Sequence, residues 1–98
     1  MSNFKLTVKA KEDLKNIAKF TEKTWNKKQR NSYLKQFDNT FKLISNTPGI
    51  GKDCDFIKEG YLKYPQGSHI IFYKKVSADE ILVVRILHKQ MDVRRYFS

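Results

Sequence analysis

The sequence predicts one α+β domain over residues 1–98, in the order β-α-α-β-β-β: a helical hairpin packed on a small antiparallel sheet, with a basic C-terminal tail. Two amphipathic helical patterns fill the first half of the chain, and three runs rich in β-branched and aromatic residues fill the second half. With 98 residues, the chain can bury one hydrophobic core but not two. Its 40% hydrophobic and 31% charged residues are typical of a globular protein.

The first half of the chain predicts a short strand followed by two helices. Residues 4–8 alternate apolar and polar side chains, as a half-buried strand does. The first helix has an apolar stripe made of Ala10, Leu14, Ile17, Ala18, Thr21 and Trp25. The second helix has a stripe made of Tyr33, Leu34, Phe37, Phe41 and Ile44. The link between them is short, so the helices should form an antiparallel hairpin in which Trp25 packs near Tyr33 and Phe37.

The second half predicts a three-stranded antiparallel meander. The second helix should end before segment 46–49, which contains proline and glycine. Strands are expected at 56–64, with Gly60 as a bulge or bend, at 69–75 and at 81–88. Turns at 65–68 and 77–79 separate them, and the basic tail runs over 89–98.

The last predicted strand has two apolar faces. One face consists of Leu82, Val84 and Ile86, together with His88. The other face consists of Ile81, Val83, Arg85 and Leu87. The strand should therefore be central and covered on both sides. One helical hairpin covers only one face of so small a sheet, so this pattern indicates a partner that covers the other.

The net charge of +10 is the most informative feature of the composition. Residues 1–35 carry ten basic and three acidic side chains. Such a surplus favours an anionic partner, either nucleic acid, an acidic protein or a membrane surface, although a solvated basic surface is the simpler alternative. Lys11, Lys15 and Lys19 form a ridge on the first helix, to which the same two interpretations apply.

Several other classes of protein are disfavoured. No apolar run approaches the roughly 20 residues that span a bilayer, and the first eight residues lack the pattern of a secretion signal, so we expect a cytoplasmic protein. A lone cysteine, Cys54, fits a reducing compartment. His69 and His88 have no Cys or carboxylate at ligand spacing, so no metal and no cofactor is expected. Segment 49–52 resembles a phosphate loop only faintly.

A few residues remain as candidates for function. Arg85 lies within an apolar strand, where its charge must reach water, a carboxylate or a partner. His88 closes the same strand, and its simplest role is to satisfy a backbone group. Arg94 and Arg95 precede Tyr96 and Phe97, a basic and aromatic combination that suits an acidic protein groove or a nucleic-acid backbone. The alternative for this tail is disorder.

The ordered combination of these segments resembles the ParE family of toxins. The resemblance begins with Leu6-Thr7, Ala10, Asp13-Leu14, Ile17, Thr21 and Trp25. It continues with residues 69–73 and Ile81, and above all with Arg85-Ile86-Leu87-His88 leading through Met91-Asp92. Membership implies the RelE/ParE fold, a helical hairpin on an antiparallel sheet.

The resemblance also implies a function and partners. It implies the toxin of a bacterial type II toxin–antitoxin system, which stabilises a plasmid or chromosome, forms a hetero-oligomer with a ParD-like antitoxin and binds DNA gyrase without chemistry of its own. The alternative is a ribosome-dependent mRNA endoribonuclease of the RelE branch. For that branch the chain offers Lys63, His69, Tyr73, Arg85 and His88, but no full catalytic set. His88 would be the acid or base. A plain nucleic-acid-binding domain fits the charge alone.

Two sets of contacts are predicted on this basis. The residues predicted to bind the target are Lys63, Arg85, His88, Arg94 and Arg95. The residues predicted to bind the antitoxin are Lys11, Lys15, Lys19, Leu82, Val84 and Ile86.

Overall fold

The structure is a computed structural model that describes residues 3–97. Its elements are β1 (Asn3–Leu6), α1 (Val8–Thr24), α2 (Lys27–Asn46), a 3-10 turn (Pro48–Ile50), β2 (Lys52–Asp53), β3 (Leu62–Gln66), β4 (His69–Ser77), β5 (Glu80–His88) and α3 (Arg94–Phe97). The predicted order of strand, two helices and three strands is confirmed, with β2 and α3 in addition. Ser98, the end of the predicted tail, lies outside the described residues.

Side-chain caps set the limits of the helical hairpin. The Thr7 hydroxyl accepts a hydrogen bond from the Ala10 N–H at 3.0 Å and begins α1. Asn26 is fully extended, and its side chain accepts from the Gln29 N–H at 2.8 Å, so α2 begins one residue later. The helix α2 continues through Asn46 rather than ending before it.

The five strands form one sheet in the order β1-β5-β4-β3-β2. The meander of β3, β4 and β5 is antiparallel, as predicted. The first strand differs from the prediction of an antiparallel sheet, since β1 runs parallel to β5. No tight turn joins these two strands, because both helices and the rest of the sheet lie between them in sequence, so nothing forces them to be antiparallel.

The main core lies between the helical hairpin and one face of the sheet. It contains Ala10, Ile17, Phe37, Phe41, Ile44, Ile71, Tyr73, Ile81, Val83 and Ile86. A second buried cluster lies on the other face and contains Cys54, Tyr61, Phe72 and Leu87, with Val93 and Phe97 packed against it. The prediction that this domain cannot cover both faces itself is therefore wrong in part. The loop after β2 and the C-terminal segment cover a portion of the second face.

Residues 54–61 form a loop rather than the start of a strand. Gly60 has a φ of +87°, and its N–H donates to Asp55 Oδ1 at 3.1 Å. This turn conformation is easy for glycine and strained for other residues, and β3 begins only at Leu62. The predicted strand over 56–64 was wrong in its first half. Ile57 and Tyr61 are apolar there because they pack in the second buried cluster.

An irregularity in β5 changes which side chains share a face. Arg85 lies opposite Phe72, whereas Val83 lies opposite Tyr73, so Val84 is an extra residue that forms a bulge. Ile86 consequently joins Val83 in the main core and is only 2% exposed. The predicted shared face of Leu82, Val84 and Ile86 is wrong, because Ile86 packs in the main core whereas Val84 packs against the cluster on the other face.

Candidate partner-binding site

A carboxylate of α1 completes the edge of β5 where β1 stops. The pairing of β1 with β5 ends at Leu6 opposite Val83. Beyond that point the Thr7 hydroxyl donates to the Val84 carbonyl at 2.7 Å, and the Ile86 N–H donates to Asp13 Oδ2 at 3.0 Å. Because β1 does not extend along this part of β5, these two side chains pair with backbone groups of β5 that have no neighbouring strand.

Asp13 is also the carboxylate that Arg85 needs. Arg85 Nε donates to Asp13 Oδ2 at 2.8 Å, and Nη2 donates to Oδ1 at 2.9 Å. Both side chains are 13% exposed. These hydrogen bonds raise the pKa of Arg85 above its ordinary value, and the Tyr96 ring lies 5.3 Å from the guanidinium. Arg85 is therefore held by its own chain, through an ion pair and a cation–π contact.

A groove of about 470 Å³ opens beside this ion pair, between α1 and the end of β5. Its walls include Asp13, Phe20, Arg85, His88, Met91 and Tyr96. Three of the wall side chains are large, apolar and exposed, namely Phe20 at 68%, Met91 at 42% and Tyr96 at 39%. A second groove of about 280 Å³ adjoins it and shares Phe20, His69 and His88 with it. An exposed apolar surface of this kind is typical of a protein-binding site.

The two histidines of the chain form the shared wall of these grooves. His69 and His88 lie directly opposite each other on β4 and β5, with ring centroids 5.3 Å apart. Nδ1 of His69 lies 2.8 Å from the Tyr33 hydroxyl. Nδ1 of His88 accepts from the Gln90 N–H at 3.1 Å. The Nε2 edge of each ring is thus the edge left for a ligand in the groove.

His69 is uncharged at neutral pH. Burial, and after it the neighbouring His88, lower the pKa of His69 to about 4, while Asp13 opposes the shift. The Tyr33 hydroxyl lies within reach of both His69 and the Gln66 carbonyl, at 3.2 Å from the latter. It can therefore accept a hydrogen bond from Nδ1–H of His69 while it donates one to the Gln66 carbonyl.

Trp25 lies on the surface, and the prediction that it packs near Tyr33 and Phe37 in the core is wrong. Its side chain is 71% exposed and lines the second groove. The helix α1 ends at Thr24, and Trp25 is its C-cap in a non-helical conformation. The helical periodicity that predicted burial of Trp25 therefore does not extend to it. The indole is consequently part of the exposed aromatic surface.

The described part of the C-terminal tail packs on the sheet. The Phe97 ring lies 5.1 Å from Phe72 and 5.8 Å from Tyr61, which anchors α3 on the second face of the sheet. Arg94 and Arg95 are exposed on α3. The alternative of a disordered tail does not hold for these residues.

The five side chains considered for nuclease chemistry do not meet at one place. Tyr73 is fully buried, and its hydroxyl donates to the Pro48 carbonyl at 2.6 Å. Lys63 stands 6.0 Å from the Phe56 ring and lines a separate groove with Lys52 and Ile70. Of the five, only His69, Arg85 and His88 line the α1–β5 groove.

Of the six residues predicted to bind the antitoxin, only Ile86 lines the α1–β5 groove. Lys11, Lys15 and Lys19 are exposed along α1. Leu82 is partly buried and lies between Lys5 of β1 and Lys74 of β4 in the sheet register. Val84 is also partly buried and packs against the second cluster.

Sequence reasoning missed Phe20, Tyr33 and Asp13 as parts of the site. Phe20 lies one helical turn after Asn16 and next to Lys19, and an apolar residue with polar neighbours on a helix face indicates exposure to a partner. Asp13 precedes Ile17 by one helical turn, which places its carboxylate above the groove. Its pairing with Arg85 crosses 72 positions of sequence and no local pattern indicates it.

Within residues 3–97, no group of three or more His, Cys, Asp or Glu side chains is arranged to hold a metal ion. No helix in this same range is long and apolar enough to cross a membrane.

The helical hairpin on a mixed sheet is a RelE/ParE-like fold. It matches a solved structure described as the chromosomal ParDE TA system from P. aeruginosa, with a TM-score of 0.74 and 18% identity over 90% of this chain and 96% of that chain. At that identity the match shows the fold alone.

The family follows from sequence. Residues 4–93 match the family model of the ParE toxin of the type II toxin–antitoxin system parDE. The chain is 36% identical over 94 residues to Toxin ParE1 of Mycobacterium tuberculosis, covering 96% of each chain. It is 31% identical over 98 residues to Toxin ParE1 of Caulobacter vibrioides, covering 100% of both. The chain belongs to the ParE toxin family of type II toxin–antitoxin systems.

Proposed function

We propose that this toxin binds and poisons DNA gyrase when it is free, and that a cognate ParD-like antitoxin neutralises it in a hetero-oligomer in the cytoplasm. The similarity to ParE toxins over the whole length of the chain carries this proposal. The exposed aromatic groove supports a mode of action by binding, because large apolar side chains exposed together favour a protein partner.

The proposed contacts with gyrase are Arg94 and Arg95, with Lys63 and His88 as further candidates. The two arginines are exposed on an anchored helix, so their guanidinium groups are free to meet carboxylates or phosphates at little cost in ordering. Arg85 is the weakest candidate, because Asp13 already neutralises it.

The proposed antitoxin is an acidic chain that lays carboxylates along Lys11, Lys15 and Lys19. The row of Lys5, Leu82 and Lys74 offers an apolar residue between two lysines, which suits an apolar anchor flanked by carboxylates. Val84, two residues after Leu82 on β5, is the second proposed apolar contact.

A cleavage assay tests the mode of action. Supercoiled plasmid, gyrase and ATP should accumulate cleaved DNA only when the toxin is added, and the purified antitoxin should abolish that cleavage. Translating ribosomes should show no new mRNA cuts. Ribosome-dependent cuts without any effect on gyrase would favour the endoribonuclease alternative, in which His88 would be the acid or base.

A further inference from the structure

We propose that the α1–β5 groove binds a carboxylate side chain of an acidic peptide, held between the Nε2 edges of His69 and His88. The inference rests on the proposed function in that the peptide is taken to be a segment of the antitoxin. It goes beyond that function by assigning the site, the chemical group and a link between binding and protonation.

His69 and His88 are paired across neighbouring strands in the wall of the groove. The two rings meet edge to face across neighbouring strands, with their centroids 5.3 Å apart and an interplanar angle of 82°. Each Nδ1 is already engaged within the chain, by the Tyr33 hydroxyl for His69 and by the Gln90 N–H for His88. Because Nδ1 of His88 accepts a hydrogen bond, its ring hydrogen lies on Nε2. Nε2–H of His88 is therefore a hydrogen-bond donor on a residue that lines the groove.

The fold accommodates a protonated His69. Nδ1–H would donate to the Tyr33 hydroxyl, which in turn donates to the Gln66 carbonyl. Nε2–H is then a charged donor that lacks an acceptor until a ligand arrives. In the free toxin His69 has a pKa of about 4, because burial and His88 disfavour the charge. A bound carboxylate reverses this balance, since an opposite charge favours the protonated ring.

Three neighbouring elements, α1, α2 and β5, present charged or titratable groups to the histidine pair. From α1, Asp13 faces it, but both carboxylate oxygens are taken by Arg85 and the Ile86 N–H. From α2, Tyr33 faces it as an uncharged hydroxyl whose pKa burial raises. From β5, Arg85 is neutralised by Asp13. The groove therefore offers hydrogen-bond donors without a free internal carboxylate to use them.

The lining of the groove favours an acidic peptide over a nucleic acid. Among the described residues that line the groove there is no lysine, and the one arginine is paired with Asp13. A phosphate backbone would therefore find little favourable charge there. Phe20, Met91 and Tyr96 instead suit apolar side chains next to the carboxylate. The basic excess of the chain attracts an acidic segment towards the groove.

The test is calorimetry of the toxin with the purified product of the adjacent antitoxin gene. Titrations are run between about pH 5.5 and 8, where ordinary carboxylates and lysines do not titrate. Buffers of different ionisation enthalpy report proton uptake. We expect uptake of up to about one proton and an affinity that rises as pH falls, by at most about tenfold per pH unit. The exposed Trp25 provides an independent fluorescence signal for binding.

Variants and spectra locate the proton. His69→Gln should bind with no pH dependence, and His88→Gln should bind more weakly with a reduced one. Lys75→Gln, about 20 Å along β4 from His69, is the control that should behave as the parent does. The chain has only two histidines, so their two NMR signals report directly, and the pKa of His69 should rise in the complex even if the His69→Gln variant folds poorly.

The outcomes separate this inference from the proposed function. Tight binding without proton uptake, with the pKa of His69 unchanged in the complex, overturns the histidine site and leaves the antitoxin proposal intact. No binding at any pH overturns both. A labelled single-stranded oligonucleotide is the competitor. If it displaces the antitoxin and itself shifts the NMR signals of His69 and His88, the groove binds nucleic acid instead and the inference is overturned.

Discussion

Arg85 of β5 and Asp13 of α1 form a two-pronged ion pair, with Nε and Nη2 at 2.8 and 2.9 Å from the two carboxylate oxygens. The same carboxylate accepts the Ile86 N–H, so one side chain joins the first helix to the last strand beyond the end of β1. The pair also forms part of the groove wall. The stability of the fold and the shape of the candidate site therefore depend on the same contact.

Replacing Asp13 should destabilise the protein strongly. Asp13→Ala leaves a poorly solvated guanidinium and a backbone N–H without partners, so we expect a loss of about 3–5 kcal/mol in the free energy of unfolding. Urea denaturation measures it. The matched control is Asp38→Ala, which breaks an exposed pair with Lys42 on α2 and should cost less than about 0.5 kcal/mol. Equal effects of the two substitutions would contradict this role for Asp13.

The Asp13–Arg85 pair illustrates what the sequence predicts and what it leaves open. The apolar periodicity of Phe37, Phe41 and Ile44 correctly predicted a buried helix face, because that pattern is local. Arg85 was predicted to need a carboxylate, water or a partner, but only the three-dimensional arrangement shows which. The bulge at Val84 shifts the alternation of β5 by one residue, and no turn residue indicates it.

The groove was also beyond a local pattern. Its walls come from α1, β4, β5 and the segment after β5, which the helical and strand periodicities treat separately. The position of Trp25 could not be predicted for a similar reason. A stripe of apolar residues locates the end of a helix only to within about one turn, and Trp25 lies just beyond the end of α1. The cover on the second face depends on Phe97 returning to Phe72, a contact with no counterpart in the spacing of residues.

The corrected position of Trp25 leads to a prediction about partner binding. With 71% of the side chain exposed, Trp25→Ala should change the free energy of unfolding by less than about 0.5 kcal/mol while weakening binding of the antitoxin. Phe37→Ala is the buried counterpart, fully enclosed by the core, and should cost about 3–5 kcal/mol. Thermal unfolding and a binding titration give the two quantities. A Trp25→Ala protein that loses several kcal/mol would restore the buried interpretation.

The shifted pKa of His69 predicts how stability depends on pH. The folded pKa of about 4 lies below the unfolded value of 6.5, so the unfolded state binds the proton more readily. The contribution of His69 to the free energy of unfolding is fully present above pH 6.5, and it is lost as the pH falls from 6.5 towards 4. Because His69 is only partly shielded from solvent, we expect its share to be about 1–2 kcal/mol. Chemical denaturation at several pH values measures it.

The comparison that isolates this effect is His69→Gln. Carboxylates also lose favourable interactions in acid, so the parent and the variant are compared at each pH rather than across pH. The difference in unfolding free energy between them should shift in favour of the variant as the pH falls from 6.5 to 4. A difference that stays constant over this range would mean that His69 titrates alike in the folded and unfolded states.

The final prediction concerns the charged groups of the tail and the mode of action. Arg94→Ala combined with Arg95→Ala should leave the fold intact, because both side chains are exposed and Phe97 still anchors α3. The double variant should lose gyrase poisoning, since each charge-assisted hydrogen bond to an anionic surface contributes on the order of 1.5–3 kcal/mol. His88→Gln should cause the smaller loss, because binding requires no proton transfer. Plasmid cleavage by gyrase at several toxin concentrations ranks the variants, with circular dichroism as the control for folding. In an enzyme that cleaves mRNA the order would reverse, since removing a general acid or base lowers the rate by about 100-fold to 10,000-fold.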